Sequence, residues 1–421
     1  MKRIYLDHAA ATPVDAGVLE KMHRLEREIF ANPSALYREG LEARKVVETA
    51  RREIAEQIAA HADEIIFAGS GTEANNLALL GLAQEAQKGR RKNHVLVSAV
   101  EHPSVLECAA QLRSYGFTVE FLPVSSAGVV EVKALKEMLR PETLFVSVMY
   151  ANNEIGTVEP IKEIAKILRK FRKDQKSNFP YLHTDACQAT NYLDMNVQRL
   201  GVDLMTWNSP KIYGPKGAAA LFKKRGIKIA PIVHGGGQEH GLRSATEDTA
   251  RIFGFAEAMK LTGEKKEAES ARLAELRDFF IQAVEKEISC AVLNGSRPET
   301  VSAGQTVSSQ NDTKRLPNNV NFSFLGHDAE EIVLRLDAKG IAVSARSACA
   351  SLSDGEDELG GSYVVRALGQ ATVSDEKLAN PGDKTIEDRA FSSVRFTLGR
   401  GTTKADIEIT IKVLKEIMER F

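Results

Sequence analysis

Short apolar runs of strand length alternate with amphipathic helical stretches along the first part of this chain, and that alternation constrains its fold more than any other feature. The runs are Glu64–Ala68, His94–Val100, Thr143–Tyr150, Tyr181–Thr184, Val202–Trp207 and Gly217–Phe222. Leu41–Ala60 reads as a helix because Val47, Ala50, Ile54 and Ile58 recur at helical spacing between charged residues. Glu73–Gln87 and Ile161–Lys170 read the same way. Strands alternating with helices predict an α/β fold with a large, mainly parallel sheet covered on both faces. Past residue 255 a long charged helix is expected from Glu257 to about Glu287, followed by fewer strands, at Asn319–Phe324, Ile341–Ser344 and Ser393–Leu398. Helices are expected at Asp328–Ala338, with Gly340 as a stop signal, and at Thr403–Arg420. Ser296–Arg315 and Ser374–Asp388 lack hydrophobic periodicity and read as surface excursions. The expected organisation is a large α/β domain over 15–256 and a smaller α+β domain built from 1–14 and 257–421.

Composition narrows the function. Lys plus Arg number 56 against 57 Asp plus Glu, a formal net charge of −1. A phosphate backbone is bound by a basic surface, so no direct nucleic-acid partner is expected. No apolar run approaches a bilayer span, and Asp7 interrupts the N-terminus where a secretory signal needs an apolar core. The four cysteines, Cys108, Cys187, Cys290 and Cys349, are scattered without a CxxC pair, which argues against a metal site or disulfide framework. A cytoplasmic protein with reduced thiols, no membrane contact and no metal is the expectation.

Ligands of an open parallel sheet bind outside the carboxyl ends of its strands, so the residues following each strand test for a site. After Glu64–Ala68 comes Gly69-Ser70-Gly71-Thr72-Glu73-Ala74-Asn75-Asn76, a small-residue turn opening a helix. Free N–H groups and the helix dipole make it a candidate phosphate cradle. The next strand delivers Glu101-His102, and those beyond it deliver Asn152-Asn153-Glu154, then Asp185 with Gln188, then Asn208-Ser209-Pro210-Lys211. A phosphate cradle, a histidine, amides, an aspartate and a lysine at one sheet edge match what pyridoxal 5'-phosphate requires. That cofactor needs a lysine for its Schiff base and a carboxylate to keep its ring nitrogen protonated.

With these motifs in order, the chain resembles the cysteine desulfurases of the iron–sulfur-cluster and tRNA-thiolation type, within the class V aminotransferases. The resemblance also rests on Tyr5-Leu6-Asp7-His8-Ala9-Ala10, Asn32-Pro33-Ser34, Gly235-Gly236-Gly237-Gln238-Glu239, Arg243-Ser244-Ala245-Thr246, Ser347-Ala348-Cys349 and Val394-Arg395-Phe396-Thr397-Leu398-Gly399-Arg400. It implies the fold-type I, aspartate-aminotransferase-like architecture, and a homodimer that converts L-cysteine to alanine. It implies that Lys211 carries the cofactor, that Asp185 pairs with the pyridinium nitrogen, and that Gln188 and Asn153 hydrogen-bond the phenolic oxygen. By the same resemblance His102 stacks on the ring and shuttles protons, while Gly71, Thr72 and the other subunit's Thr246 hold the phosphate. Arg395, assisted by Asn32, clamps the substrate carboxylate. Cys349 takes the sulfur as a persulfide for a protein acceptor, either an iron–sulfur scaffold or a tRNA-thiolation protein. Arg346 precedes that cysteine, and Ala350–Gly361, rich in Ser, Gly and acid, reads as a mobile, solvated loop. Cys108 and Cys290 read as core, and Cys187 as structural.

The chain departs from the family pattern at Tyr37, where a histidine is common, in a longer loop after Cys349, and at two positions before Lys211. Asn208 stands where a phosphate-binding serine is usual and keeps a donor amide, whereas Pro210 replaces a histidine and offers no donor. A selenocysteine or cystine lyase, or an aminotransferase of the same fold, is the alternative.

Overall fold

The computed structural model describes residues 3–89, 92–298, 314–345, 360–370 and 384–419. In chain order the strands are β1 Ile4–Tyr5, β2 Ile65–Ala68, β3 His94–Ser98, β4 Thr118–Leu122, β5 Thr143–Ser147, β6 Tyr181–Asp185, β7 Leu204–Asn208 and β8 Ala219–Lys223. They continue with β9 Ala291–Leu293, β10 Asn319–Phe324, β11 Ile341–Ala342 and β12 Ser393–Thr397. The large sheet has the order β2-β8-β7-β6-β5-β3-β4; a smaller sheet runs β12-β10-β9, and β1 pairs with β11.

Within the large sheet β4, β3, β5, β6 and β7 are mutually parallel. β8 is antiparallel to both β7 and β2. Two reversals restore the direction, so the turn after β2 opens at the same edge as the loops after β3, β5, β6 and β7. Every residue of β2, β3 and β5 is buried, as expected of strands covered on both faces. β4 was not among the strands read from the sequence. It lies at the sheet's edge, where Thr118 is exposed and Glu120 half-buried, so it lacks the continuous apolar run that marks its neighbours.

One helix links the two sheets. It runs Thr249–Glu287, starting eight residues before the expected Glu257, because the Asp248 carboxylate caps it by accepting from Arg251 N–H. Near its start Phe255 meets Trp207 of β7, and near its end Phe280 meets Phe396 of β12 edge-on at 5.1 Å. The helix is continuous through 256/257.

Two expected surface segments differ from expectation in part. Arg315 is fully buried, donating to the backbone carbonyls of Asn294, Ser296 and Asn319. Burial pushes its guanidinium down to about 9. Residues 384–388 belong to the helix Lys384–Phe391; residues 299–313 and 374–383 lie outside the described residues. Cys290 sits just ahead of β9 and is half-buried rather than part of the strand.

The glycine-rich segment after β8 is fastened by a buried ion pair. Arg51 Nη1 and Nη2 each donate to the Glu239 carboxylate at 2.7 Å, with side chains 3% and 1% exposed. Phe67 N–H adds a third bond to the same carboxylate. Glu239→Ala leaves both terminal nitrogens of that buried guanidinium without a carboxylate, with only the half-exposed Glu48 on Nε, and a loss of about 3 kcal/mol is expected in denaturant unfolding.

Candidate active site

The chain after β7 forms a single 3-10 turn, Ser209–Lys211, and Tyr213 then adopts φ +63°. The N-terminal arm is stitched to this turn. Thr12 N–H donates to the Pro210 carbonyl at 2.9 Å, Tyr213 N–H to Thr12 Oγ1 at 2.7 Å, and Asp15 N–H to the Tyr213 carbonyl at 2.8 Å. Asn191 holds the Lys211 carbonyl at 2.6 Å. The Lys211 ammonium donates to the carbonyls of Ala9 and Ala10, and Gln188 Nε2 donates to that of Ala9. Lysine, glutamine and arm thus meet at one point.

Asp185 ends β6, and both of its carboxylate oxygens accept: Oδ1 from Cys187 N–H at 2.9 Å, Oδ2 from Asn75 Nδ2 at 2.7 Å. The same Asn75 amide reaches Ser104 Oγ, which contacts His102 Nδ1 at 2.9 Å. Ser104 N–H also donates to Nδ1, so the neutral ring carries its proton on Nε2. His102 caps the helix Pro103–Ser114, whose positive end further disfavours an imidazolium. Burial is the largest influence and pushes this histidine below its ordinary 6.5; Asp185 opposes the shift, while Lys211 and Arg395 add to it. Below the unfolded-state pKa the unfolded chain binds this proton and the folded chain resists it, so the contribution of His102 to stability is lost as pH falls. Imidazole NMR should show His102 titrating below free histidine, with the signal assigned by its loss in His102→Gln.

Glu101, directly before His102, is fully buried; its carboxylate accepts from Met149 N–H, and Tyr363 Oη donates to its carbonyl at 2.6 Å. Burial raises its carboxyl well above the ordinary range. Arg395, in β12, donates from Nη1 to the Asn153 carbonyl at 3.0 Å and from Nη2 to Asp7 Oδ1 at 2.8 Å.

At the turn after β2, Ser70 Oγ caps the helix Gly71–Gln87, and the Glu73 carboxylate accepts from Gly69 N–H and pairs with Arg243. A Cβ on Gly71 would stand 3.1 Å from both Asn208 Nδ2 and Cys187 Sγ, so only glycine leaves this cradle open. Burial, reinforced by Asp185, raises the Cys187 thiol well above its usual value.

Gly71, His102, Asn153, Asp185, Gln188, Asn208, Lys211 and Arg395 therefore line one sheet edge. Thr72, Asn32 and Thr246 are exposed, and Asn32 Oδ1 accepts from Ser34 N–H within its own turn. Cys349 and Arg346 lie outside the described residues. The chain enters 346–359 from Ser344, whose backbone pairs with Arg395, and returns where Ser362 Oγ donates to Glu154 Oε2 at 2.6 Å. Asn75, Ser104 and Asp7 received no role from the sequence. Of these, Asn75 had a signal: it falls one helical turn beyond Gly71, on the face toward Asp185.

The donor and acceptor set fits pyridoxal phosphate. Asp185, held by two donors, is an acceptor suited to a protonated ring nitrogen. Asn153 Oδ1, Asn208 Oδ1, Ser209 Oγ and Arg395 Nε are buried and lack partners among the described residues. Among the described residues no group of three or more His, Cys, Asp or Glu is arranged to hold a metal, and no helix is long and apolar enough to cross a membrane.

The aminotransferase class-V family model matches residues 4–409. The chain is similar to the cysteine desulfurase IscS of Dictyoglomus turgidum, at 42% identity over 100% of this chain and 96% of that protein. Cysteine desulfurase IscS 1 of Archaeoglobus fulgidus is 40% identical over 99% of this chain and 97% of its own length. Among solved structures, a NifS-like protein aligns with a TM-score of 0.83 at 28% identity, covering 100% of both chains. SspA in complex with cysteine aligns at 0.72 and 30% identity, covering 94% of this chain and 98% of its own.

Proposed function

The chain belongs to the aminotransferase class-V family, and from that premise we propose that it is a pyridoxal-phosphate-dependent L-cysteine desulfurase. The observation that carries the reading is the meeting of a lysine, an aspartate fixed by two donors and a buried arginine at one sheet edge. When bound, the cofactor supplies an electron sink for the pair left at the substrate's α-carbon.

The protein's own residues do the rest. Lys211 anchors the cofactor covalently, and Asp185 keeps the ring nitrogen protonated. Asn153 and Gln188 hydrogen-bond the phenolic oxygen. Gly71, Thr72 and Asn208, with Thr246 of a second copy, hold the phosphate. Pro210 contributes no donor there, so the amide of Asn208 carries more of that binding. His102, with Nδ1 held by Ser104, would move protons at Nε2. Arg395, assisted by Asn32, orients the substrate through its carboxylate.

The sulfur step falls to Cys349. Its thiolate attacks the sulfur of bound cysteine, forming an S–S bond as the C–S bond breaks. The C–S electron pair stays with carbon, which takes a proton to become the methyl group of alanine. The persulfide is then passed to a protein acceptor. The working form in this reading is a homodimer, with Thr246, exposed on its own chain, serving the other, and its compartment is the cytoplasm, where thiols stay reduced. Incubation with cysteine and a reductant should release sulfide and alanine in equal amounts without an amine acceptor. Absence of both products, or a stoichiometric demand for an acceptor, overturns the proposal.

A further inference from the structure

The run Tyr5-Leu6-Asp7-His8 takes no part in the reaction described above, yet the fold holds it against the site. β1 pairs in parallel with β11, Leu6 N–H donates to the Ala342 carbonyl at 2.8 Å, and Thr397 N–H donates to the Leu6 carbonyl at 2.7 Å. Backbone bonds on both sides therefore fix where Asp7 stands. Its Oδ1 accepts from Arg395 Nη2 at 2.8 Å, with the guanidinium 2% exposed and the carboxylate 17%. A guanidinium has five N–H donors in one plane. Asp7 and the Asn153 carbonyl engage Nη2 and Nη1, and Nε has no partner among the described residues. The pair with Asp7 is one-point, not the two-point fork that arginine forms with a carboxylate at its strongest.

We infer that Asp7 is the resident counter-ion of Arg395, against which the carboxylate of an incoming amino acid must compete, and that it thereby sets the substrate's affinity. The inference rests on the reading of Arg395 as the carboxylate site. A guanidinium buried without a counter-ion is costly, so Asp7 stabilises the empty cleft. Once a substrate carboxylate arrives, two anions share one cation where solvent screens weakly, and part of the attraction is lost. Substrate and product carry the same carboxylate, so Asp7 weakens the binding of both and speeds the departure of alanine. A change in binding common to ground and transition states appears in KM and not as a faster chemical step.

Steady-state kinetics of the holoenzyme test this. In Asp7→Asn the amide oxygen still accepts from Nη2 but the competing charge is gone, so KM for cysteine should fall about tenfold without a rise in kcat. Asp7→Ser should move KM the same way, and Asp7→Glu, which keeps the charge, should not. Cysteamine, which lacks the carboxylate, serves as the control, its binding followed by cofactor absorbance; Asp7→Asn should leave it unmoved. L-alanine should raise the Tm of Asp7→Asn more than that of the parental protein. A higher KM for cysteine in Asp7→Asn, or equal shifts for cysteine and cysteamine, overturns the inference alone. If Arg395→Gln leaves KM for cysteine unchanged, the underlying carboxylate-site reading fails instead.

Discussion

Replacing Lys211 by alanine is expected to remove the protein's visible absorbance and to lower sulfide release from cysteine on the order of 1,000-fold or more. Few of the surrounding bonds depend on that side chain. The turn is held by backbone and by its neighbours: Thr12 on Pro210 and Tyr213, Asp15 on the Tyr213 carbonyl, and Asn191 on the carbonyl of residue 211 itself. All of these survive the substitution. What disappears is the ammonium that reaches the Ala9 and Ala10 carbonyls. Loss of colour with an unchanged Tm separates loss of the anchor from loss of the fold. A Lys211→Ala protein that kept the parental absorbance and rate would place the covalent anchor elsewhere.

Much of this site was legible because the chemistry falls at strand ends. Apolar runs mark β3, β5 and β7, since strands covered on both faces need them, and Tyr181-Leu182 opens β6. Whatever follows each run then lies at one edge, and so His102, Asn153, Asp185 and Lys211 could be grouped before any geometry was known. The residues that orient them were hidden for physical reasons. Asn75 reaches Asp185 only because the helix Gly71–Gln87 packs across β7 and β8, beside β6, and Ser104 reaches His102 by the turn of a cap. Asp7 meets Arg395 across a separation of 388 residues, through a two-residue strand too short to carry a periodic signal. One helix start shifted for a similar reason: capped by Asp248, the helix begins at Thr249, eight residues before the charged pattern. Arg315 read as surface by composition, yet it is buried with its donors on backbone carbonyls.

The second large effect is expected at Cys349. Cys349→Ser should retain cofactor and colour and still shift its absorbance when cysteine is added. Sulfide release should nevertheless fall on the order of 1,000-fold, because a serine hydroxyl neither ionises near neutral pH nor forms a bond to sulfur that an acceptor can cleave. The other three cysteines make poor substitutes. Burial pushes the Cys108 thiol up to about 12, and burial together with Asp185 raises Cys187 well above its ordinary value. Cys290 is half-buried beside β9 and is raised by burial as well. Each stays a thiol at neutral pH, whereas the attacking species has to be a thiolate. The described chain on either side of 346–359 is anchored at the cleft, through Ser344 on Arg395, Ser362 on Glu154 and Tyr363 on the Glu101 carbonyl. One thiol per chain should therefore react quickly with iodoacetamide in the parental protein, and none in Cys349→Ser. Sulfide release at the parental rate from the serine variant would transfer the nucleophile's role to another residue, with Cys187, the nearest to Asp185, the first to be replaced.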